Sequence, residues 1–529
     1  MKLRLFLSFV SAACVLSGCM QVNSELGRDL IATNQRYDIY SIEIPVTDIS
    51  LDVPDSLSGM SSKRITVGAI REEEFGLTTR GAAFALVPIL DTLDFGKDAI
   101  FKQFHFATAA DTVSLADESE RYIIQKINVY ELSEPIDFET YNTNTTIAHK
   151  PGRITRGVPM YAGGDSLSFD FSEEFGRKYM QILQEDLDTM TAYTAKFPGI
   201  YIETDAPVGN GGRINMFELS CLSVYSSAFY RNNNVAELKF SAVYDGERKD
   251  TSFLFIYGEP YFYDEVAYVD AGVRIPQYSF NVTGHESRDR VGAAGSVIPV
   301  EGGGGLKPGI AAADIRSKVI AEISKNGAPE DVIINKATLH LPFEMPEDYK
   351  ELDLFPTTLN PTCRVKTDTS ITFAGLTDSS NSSENQGTID RSNLEYCPDI
   401  THHLQELIKL KDTDKLSNYD VWFLIVSSET EETANSSSYN EYYQNLMYAS
   451  YYNSLYGYGN YGYGYGSGYS SYSNYYNYMM LAQMYSGTSS TSTTSELDIT
   501  RFYRASLNGP AATGVRTPTL KVVYSLPRK

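Results

Sequence analysis

Strand periodicity constrains the fold of this 529-residue chain more than any other feature. Residues 41–46, Ser-Ile-Glu-Ile-Pro-Val, alternate polar and apolar side chains, and residues 49–53 resume the alternation one register later. Similar stretches recur up to about Tyr257, with turn residues at short intervals. Since alternate side chains of a strand point to opposite faces, this pattern predicts half-buried strands. It favours an antiparallel sandwich or barrel over alternating strands and helices.

Two helices interrupt the strands with the same apolar spacing. Ser172 is predicted to cap the first and Asp399 the second, because short polar side chains accept hydrogen bonds from the free N–H groups of a helix start. In both, apolar residues recur at i, i+4, i+7 and i+8, which places them on one face. They are Phe175, Tyr179, Ile182 and Leu183 in the first helix, and Ile400, Leu404, Leu407 and Ile408 in the second.

The order of strand, helix, strand and closing strand occurs twice. Its members are residues 123–130, 199–202 and 238–240 in the first half, and 333–340, 421–426 and 520–522 in the second. We therefore expect a mainly β protein with two tandem β-sandwich, jelly-roll-like domains, each with one packed helix, produced by internal duplication. The predicted boundaries are 37–267 and 306–529. A linker, 268–305, ends in four glycines and precedes a short helix with Ile315, Val319 and Ile323 on one face.

A tyrosine-rich insertion, residues 431–495, lies between two predicted strands. Residues 439–485 mix tyrosine with Gly, Asn and Ser and show no helix or strand period, which is typical of a low-complexity loop. Because tyrosine offers a large amphipathic face with little side-chain entropy to lose, the segment could form a contact surface for protein or glycan. The other interpretation is a solvated insertion without specific contacts. The candidate contact residues are Tyr456, Tyr458, Tyr461, Tyr463 and Tyr465.

The amino terminus has the pattern of an export signal. Lys2 and Arg4 precede an apolar run over residues 5–16, which is too short for a membrane-spanning helix. The sequence Leu-Ser-Gly-Cys at 16–19 resembles a bacterial lipobox. It predicts removal of a signal peptide, residues 1–18, and lipidation of Cys19 at the start of a tether, residues 19–36. The alternative is an ordinary signal peptide with an incidental cysteine.

Three cysteines would remain in the mature chain: Cys221, Cys363 and Cys397. Export favours disulfides, and the sequence predicts a pair between Cys363 and Cys397 because both fall in the second predicted domain. The odd cysteine is then expected to be buried.

Charge and motifs exclude several function classes. The net charge of −23 argues against nucleic acid and anionic lipid surfaces as partners, because both require basic patches. None of the six histidines forms an H-E-x-x-H motif, and G-x-S-x-G and P-loop patterns are also missing. His402 and His403 are adjacent, so they point to different helix faces and cannot form an i, i+4 metal pair. We expect no catalytic residue, no metal site and no cofactor.

Several stretches together carry a resemblance. They are Glu-Leu-Gly-Arg-Asp-Leu-Ile at 25–31, residues 74–81, Gly302–Gly305, residues 334–339 and residues 516–522, with the tyrosine-rich insertion before the last. In combination they resemble the domain-of-unknown-function family 4270, lipoproteins of Bacteroidota. The resemblance implies an envelope lipoprotein with no assigned catalytic residues.

Location and function follow as expectations. Met20, not an aspartate, follows Cys19, which by analogy with other Gram-negative sorting rules favours the outer membrane, with the surface face favoured over the periplasmic face. The leading hypothesis is a non-enzymatic binding or scaffold component beside an outer-membrane protein, in protein assembly or nutrient uptake. The alternatives are a glycan-binding module or glycosidase, and an adhesin or fibre subunit.

The lipobox interpretation predicts that Cys19→Ala abolishes acylation, because the thiol of Cys19 is the acceptor. Cells fed a labelled fatty acid should incorporate label into the wild-type chain and into a Cys14→Ala control. The Cys19→Ala chain should carry none. Wild-type protein without label, with an intact Cys19 thiol, would contradict the interpretation.

Overall fold

A computed structural model describes residues 36–528, except for 55–56, 62–63, 89, 91, 116, 138–140, 220–233, 258–278, 367–370, 381–384, 433–490 and 498–500. The chain divides into two compact units. The larger comprises the residues up to Ile425 and those after Leu497, and the smaller is Val426–Leu497. Among the described residues, no helix has the length and apolar character needed to cross a membrane.

The strands are numbered in chain order. Those of the first part are β1 (Tyr37–Pro45), β2 (Ile49–Asp52), β3 (Met60–Ser61), β4 (Arg64–Glu72), β5 (Gly76–Phe84), β6 (Val87–Pro88), β7 (Lys97–Leu115), β8 (Gln125–Glu131), β9 (Met160–Tyr161), β10 (Ser166–Asp170), β11 (Ile200–Thr204), β12 (Gly211–Glu218), β13 (Val235–Tyr244) and β14 (Glu247–Ile256). Those that follow are β15 (Ser279–His285), β16 (Gly292–Ala293), β17 (Val297–Glu301), β18 (Lys307–Ile310), β19 (Ile333–Pro342), β20 (Thr358–Lys366), β21 (Ile371–Gly375), β22 (Ile389–Asp390), β23 (Glu395–Tyr396), β24 (Val421–Glu432), β25 (Thr491–Leu497), β26 (Arg504–Asn508) and β27 (Thr519–Pro527). The α-helices are α1 (Glu173–Tyr179), α2 (Met190–Lys196), α3 (Ala312–Ile323) and α4 (Thr401–Lys409).

The larger unit contains two main hydrophobic cores. The amino-terminal core is built by a 13-stranded sheet whose main path runs β6-β14-β13-β7-β12-β4-β5-β11-β8-β9. Helices α1 and α2 bury aromatic side chains in it, and the Phe104 ring stacks with that of Phe175 at 6.2 Å. As predicted, the Ser172 side chain caps α1 by accepting the N–H of Phe175 at 3.2 Å.

The carboxyl-terminal core lies between further sheets of the same unit. One sheet has the order β1-β27-β19-β23-β22, another the path β16-β2-β18-β24-β20-β21, and β17 pairs with β26. Helices α3 and α4 bury their predicted apolar faces in this core. Two carboxylates cap the free N–H groups at the start of α4. The predicted Asp399 accepts the N–H of Thr401 at 2.9 Å, and Asp378 caps the next two residues. The buried Asp378 carboxylate accepts the N–H groups of His402 and His403 at 2.7 and 2.9 Å.

The mainly β prediction is confirmed, and the strands form several antiparallel sheets consistent with a sandwich-rich fold. Several strands pair across the predicted domain boundaries. Strands β1 and β2, assigned to the first domain, pair with β27 and β18 in the carboxyl-terminal core. The predicted linker contains β15, which pairs with β5, and also β16 and β17. Alternation identifies the buried face of a strand, but it does not identify the partner strand.

The predicted correspondence between the halves does not extend to strand pairing. In the first half, β11 follows the helices and pairs with β8, the strand before them. In the second half, β24 follows α4 but lies in a different sheet from β19. The closing strands differ too, because β27 pairs with β19 whereas β13 pairs with β7 and β14. The repeated order of elements therefore gives no support for duplication. Each core also contains two described α-helices instead of the expected one.

Cross-linking can test the interleaved chain path. Glu43 and Lys521 are exposed and directly opposite each other in the β1–β27 pair. Antiparallel partners lie about 4.5–5.5 Å apart, within disulfide range. The double variant Glu43→Cys/Lys521→Cys should therefore form a 43–521 disulfide on mild oxidation, detected by peptide mass spectrometry. A matched Glu43→Cys/Lys239→Cys variant, which would place both cysteines in the predicted first domain, should not cross-link. The reverse result would reject the described pairing.

Candidate functional site

Two of the predicted sites fall outside the described residues. Cys19 precedes residue 36, and the five candidate contact tyrosines lie within 433–490. The structure does describe both flanks of the tyrosine-rich segment. In the smaller unit, residues 426–432 of β24 pair antiparallel with β25, from Val426 opposite Leu497 to Glu432 opposite Thr491. We call this pair the ribbon.

The predicted disulfide is not formed in the structure, which leaves Cys363 and Cys397 as free thiols. Cys363 is buried, and its Sγ lies 3.8 Å from Nδ1 of His403. Cys397 lies instead beside His340. The two cysteines share a core region, but each faces its own histidine. His403 itself is buried whereas His402 is exposed, so the two adjacent histidines point to different helix faces as predicted.

The four glycines predicted to end a linker form a buried loop between β17 and β18. Gly303 has φ +58°, in the left-handed region that favours glycine. A Cβ on Gly304 would lie 2.0 Å from Oδ1 of Asn144, so no larger residue fits there without displacement. The loop is surrounded by buried ionisable side chains, which we call the polar junction: Arg80, His285, Glu301 and Lys307.

The Glu301 carboxylate is the central acceptor of the polar junction. It accepts hydrogen bonds from the Ser287 hydroxyl and from the Leu306 N–H at 3.1 Å, and its Oε1 lies 3.3 Å from Nδ1 of His285. Burial alone would raise the pKa of Glu301, but the hydrogen bond with His285 and the other donors lower it to about 2. Glu301 is therefore ionised at neutral pH.

His285 connects Glu301 with Arg80. Burial lowers the pKa of His285 to about 4, so its imidazole is neutral at neutral pH. One arrangement satisfies both ring nitrogens. Nδ1–H donates to Glu301, and Nε2 accepts from Nη1 of Arg80, 3.2 Å away. The imidazole of His285 thus connects Arg80 of β5 with Glu301 of β17 through two hydrogen bonds.

Lys307 is the residue of the polar junction that binds the backbone of the glycine loop. Its Nζ donates to the carbonyl groups of Glu301, Gly303 at 3.0 Å and Gly305 at 3.1 Å. Three acceptors match the three N–H groups of an ammonium ion. Burial lowers the pKa of Lys307 to about 7. Since Arg80 and His285 belong to strands of the 13-stranded sheet, and Glu301 and Lys307 border the carboxyl-terminal core, the junction connects the two cores.

A second cluster contains side chains that can ligate a metal ion, and it lies beside the paired strands β19 and β23. Ligand atoms of His340, Glu395 and Cys397 all lie within 4.8 Å of one another. Nδ1 of His340 is 3.3 Å from Oε2 of Glu395 and 3.6 Å from Sγ of Cys397. Burial raises the pKa of the Cys397 thiol. We call these three residues the His-Glu-Cys cluster.

Sequence reasoning missed the His-Glu-Cys cluster because His340 lies 55 residues before Glu395, with strands β20, β21 and β22 between them. One local signal was available. Glu395 and Cys397 are two residues apart, and residues with that spacing in an extended segment share a face. His340 itself is partly buried, on the face opposite Leu339 and Leu341.

Comparison of the chain with protein-family models, curated proteins and solved structures found no match. The resemblance to the uncharacterised Bacteroidota lipoproteins accordingly stays a prediction.

The polar junction predicts a large effect of Glu301→Gln on stability, because the change leaves buried donors and cations without their carboxylate partner. Breaking a buried ion pair typically costs about 3–5 kcal/mol of unfolding free energy. Urea denaturation at neutral pH would measure this. The control, Glu286→Gln, removes an exposed carboxylate that pairs with Arg71, and it should leave the unfolding curve nearly unchanged.

The pKa of Glu301 also predicts how the effect of Glu301→Gln on the unfolding free energy depends on pH. Glu301 has a pKa of about 2 in the folded chain and an ordinary value of 4.5. The stabilisation that ionised Glu301 adds to the unfolding free energy is therefore present above pH 4.5 and is lost as the pH falls towards 2. The difference in unfolding free energy between wild type and Glu301→Gln should narrow over that window. A difference that stays constant with pH would show that the carboxylate charge does not stabilise the fold.

Proposed function

We propose that this protein is a non-enzymatic, lipid-anchored binding or scaffold protein of the outer membrane that contacts an envelope partner through its tyrosine-rich segment. The observation that carries the proposal is the ribbon. Both ends of residues 433–490 are attached to adjacent antiparallel strands, with seven residues paired on each side. Glu432 and Thr491, the residues on either side of the segment, therefore lie opposite each other.

The composition of the ribbon and of the segment supports contact. The ribbon residues 427–432 and 491–496 are serine, threonine and glutamate only, and the segment between them supplies tyrosine, glycine and asparagine. Tyrosine with small flexible residues is the composition of many binding surfaces, because the ring gives contact area and the small residues allow adaptation. A polar ribbon next to a tyrosine-rich segment favours a partner that is bound by the tyrosines of the segment.

The larger unit suits the role of a stable base. Its two cores are connected by the polar junction, and β1 begins at residue 37, shortly after the proposed tether. Since β1 pairs along its whole length with β27, the chain enters the fold through a strand held by nine partner residues. A lipid at Cys19 would thus anchor a folded base, with several acyl chains contributing about 0.8 kcal/mol per buried methylene.

The glycan-binding alternative has less support from the described residues. The single tryptophan, Trp422, is partly buried and packs across Gly309 of the neighbouring strand, where an added Cβ would lie 3.0 Å from its ring. It is therefore engaged in the sheet and does not form an open sugar platform. Tyrosines of the insertion would have to provide the stacking surface.

The proposal predicts that the segment, and not the base, holds the partner. Replacing residues 433–490 by Asn-Gly should close β24 and β25 as a two-residue hairpin and leave the thermal midpoint unchanged. In-cell cross-linking followed by purification should recover a partner with the wild-type chain but not with this variant. A length-matched control changes Tyr456, Tyr458, Tyr461, Tyr463 and Tyr465 to serine and should also lose the partner. Recovery of wild-type monomer only, or unchanged cross-links in both variants, would reject the proposal.

A further inference from the structure

We propose that the His-Glu-Cys cluster is a binding site for a divalent transition-metal ion, with Zn²⁺ as the best match. The site does not depend on the proposed function, and either can fail without the other. Its ligand set combines imidazole nitrogen, carboxylate oxygen and thiolate sulfur from His340, Glu395 and Cys397. Zn²⁺ accepts all three ligand types, whereas Mg²⁺ and Ca²⁺ prefer oxygen alone.

Two of the three distances between the ligand atoms fit a tetrahedral zinc ion, and the third, between Sγ of Cys397 and the Glu395 carboxylate, is at most 4.8 Å. Zinc bonds of about 2.3 Å to sulfur and about 2.0 Å to nitrogen and oxygen, at tetrahedral angles, separate sulfur from nitrogen by about 3.5 Å and nitrogen from oxygen by about 3.3 Å. The structure has 3.6 Å between Sγ of Cys397 and Nδ1 of His340, and 3.3 Å between Nδ1 and Oε2 of Glu395. One ion can therefore reach these atoms without movement of the strands.

A side-chain adjustment is still required. Sγ of Cys397 is also 3.6 Å from Nε2 of His340, so the sulfur lies beside the ring and not along the lone pair of Nδ1. Rotation of the imidazole or of the thiol about its last side-chain bond would bring both towards one point. Both groups are only partly buried, which leaves room for this rotation.

Neighbouring side chains provide the outer hydrogen bonds typical of metal sites. Oγ1 of Thr338 lies 3.2 Å from Nε2 of His340, where it can accept Nε2–H and leave Nδ1 unprotonated for a metal. Nη1 of Arg516 lies 3.2 Å from Oε2 of Glu395, and its Nη2 donates to the carbonyl groups of Asn393 and Leu394. The arginine thereby orients the carboxylate, although its charge lowers the affinity for a cation.

The cluster offers three protein ligands and partial exposure. The side chains of His340 and Glu395 are 16% and 15% exposed, so an ion can enter from solvent. Three ligands leave the fourth tetrahedral position for water or for an external group. The second thiol–imidazole contact, between Cys363 and His403, differs because both residues are buried, and the described residues include no carboxylate ligand grouped with them.

Titration of the purified, chelator-washed full chain with Co²⁺ tests the proposal. Co²⁺ is a spectroscopic substitute for Zn²⁺, and thiolate ligation produces a ligand-to-metal charge-transfer band in the near ultraviolet. We expect one equivalent of Co²⁺ to give this band and Zn²⁺ to displace it. Cys397→Ser should abolish the band. Glu395→Gln, which keeps the side-chain volume, should weaken binding by more than about tenfold.

Cys363→Ser is the matched control, since it removes the other described thiol beside a histidine and should leave the band intact. Near-ultraviolet circular dichroism will show that each variant is folded. At one Zn²⁺ concentration the thermal midpoint of the wild type and the control should rise more than that of Glu395→Gln, because a ligand that binds only the folded state stabilises it more when it binds more tightly. No band with the wild type, or a band that survives Cys397→Ser, would overturn the proposal.

Discussion

The connection between the two cores of the larger unit depends on the hydrogen bonds and ion pairing of the buried Glu301 carboxylate. An isolated charge in a protein interior is costly, so it is retained only where donors and cations surround it. Here Ser287, Leu306 N–H and His285 supply the donors, and Lys307 and Arg80 contribute positive charge. Because these groups come from strands of both cores, the carboxylate can be satisfied only when the cores are correctly placed.

This constraint explains the glycine loop and the chain path together. The loop must pass close to the side chains of Arg80, Asn144 and His285, and only residues without a Cβ leave enough space. Strands β1 and β2 lie in the carboxyl-terminal core, and the strands from β3 to β15 form the sheet of the amino-terminal core. After β15 the chain returns to the carboxyl-terminal core. The strands of the two cores of the larger unit are therefore interleaved along the chain.

Local features of the fold could be predicted from the sequence, because neighbouring residues determine them. The Ser172 cap, the apolar stripes of α3 and α4 and the strand alternation at 41–46 all depend on spacing within one turn or one strand. The cap of α4 could be predicted only in part, since Asp399 lies beside the helix start, whereas the second carboxylate comes from Asp378, more than 20 residues away. The burial of His403 has the same origin, because it depends on Tyr419 and Cys363 being folded against it.

The sequence by itself determined the β-rich class and the positions of the main strands and helices, and it predicts an export signal with acylation at Cys19. The tertiary structure alone decided that β1 pairs with β27, that the glycine run is buried among charges, and that Cys397 faces His340 instead of Cys363. The physical reason is that side-chain alternation and helical spacing specify which face of an element is buried. Which distant element covers that face depends on the packing and hydrogen bonding of the whole chain.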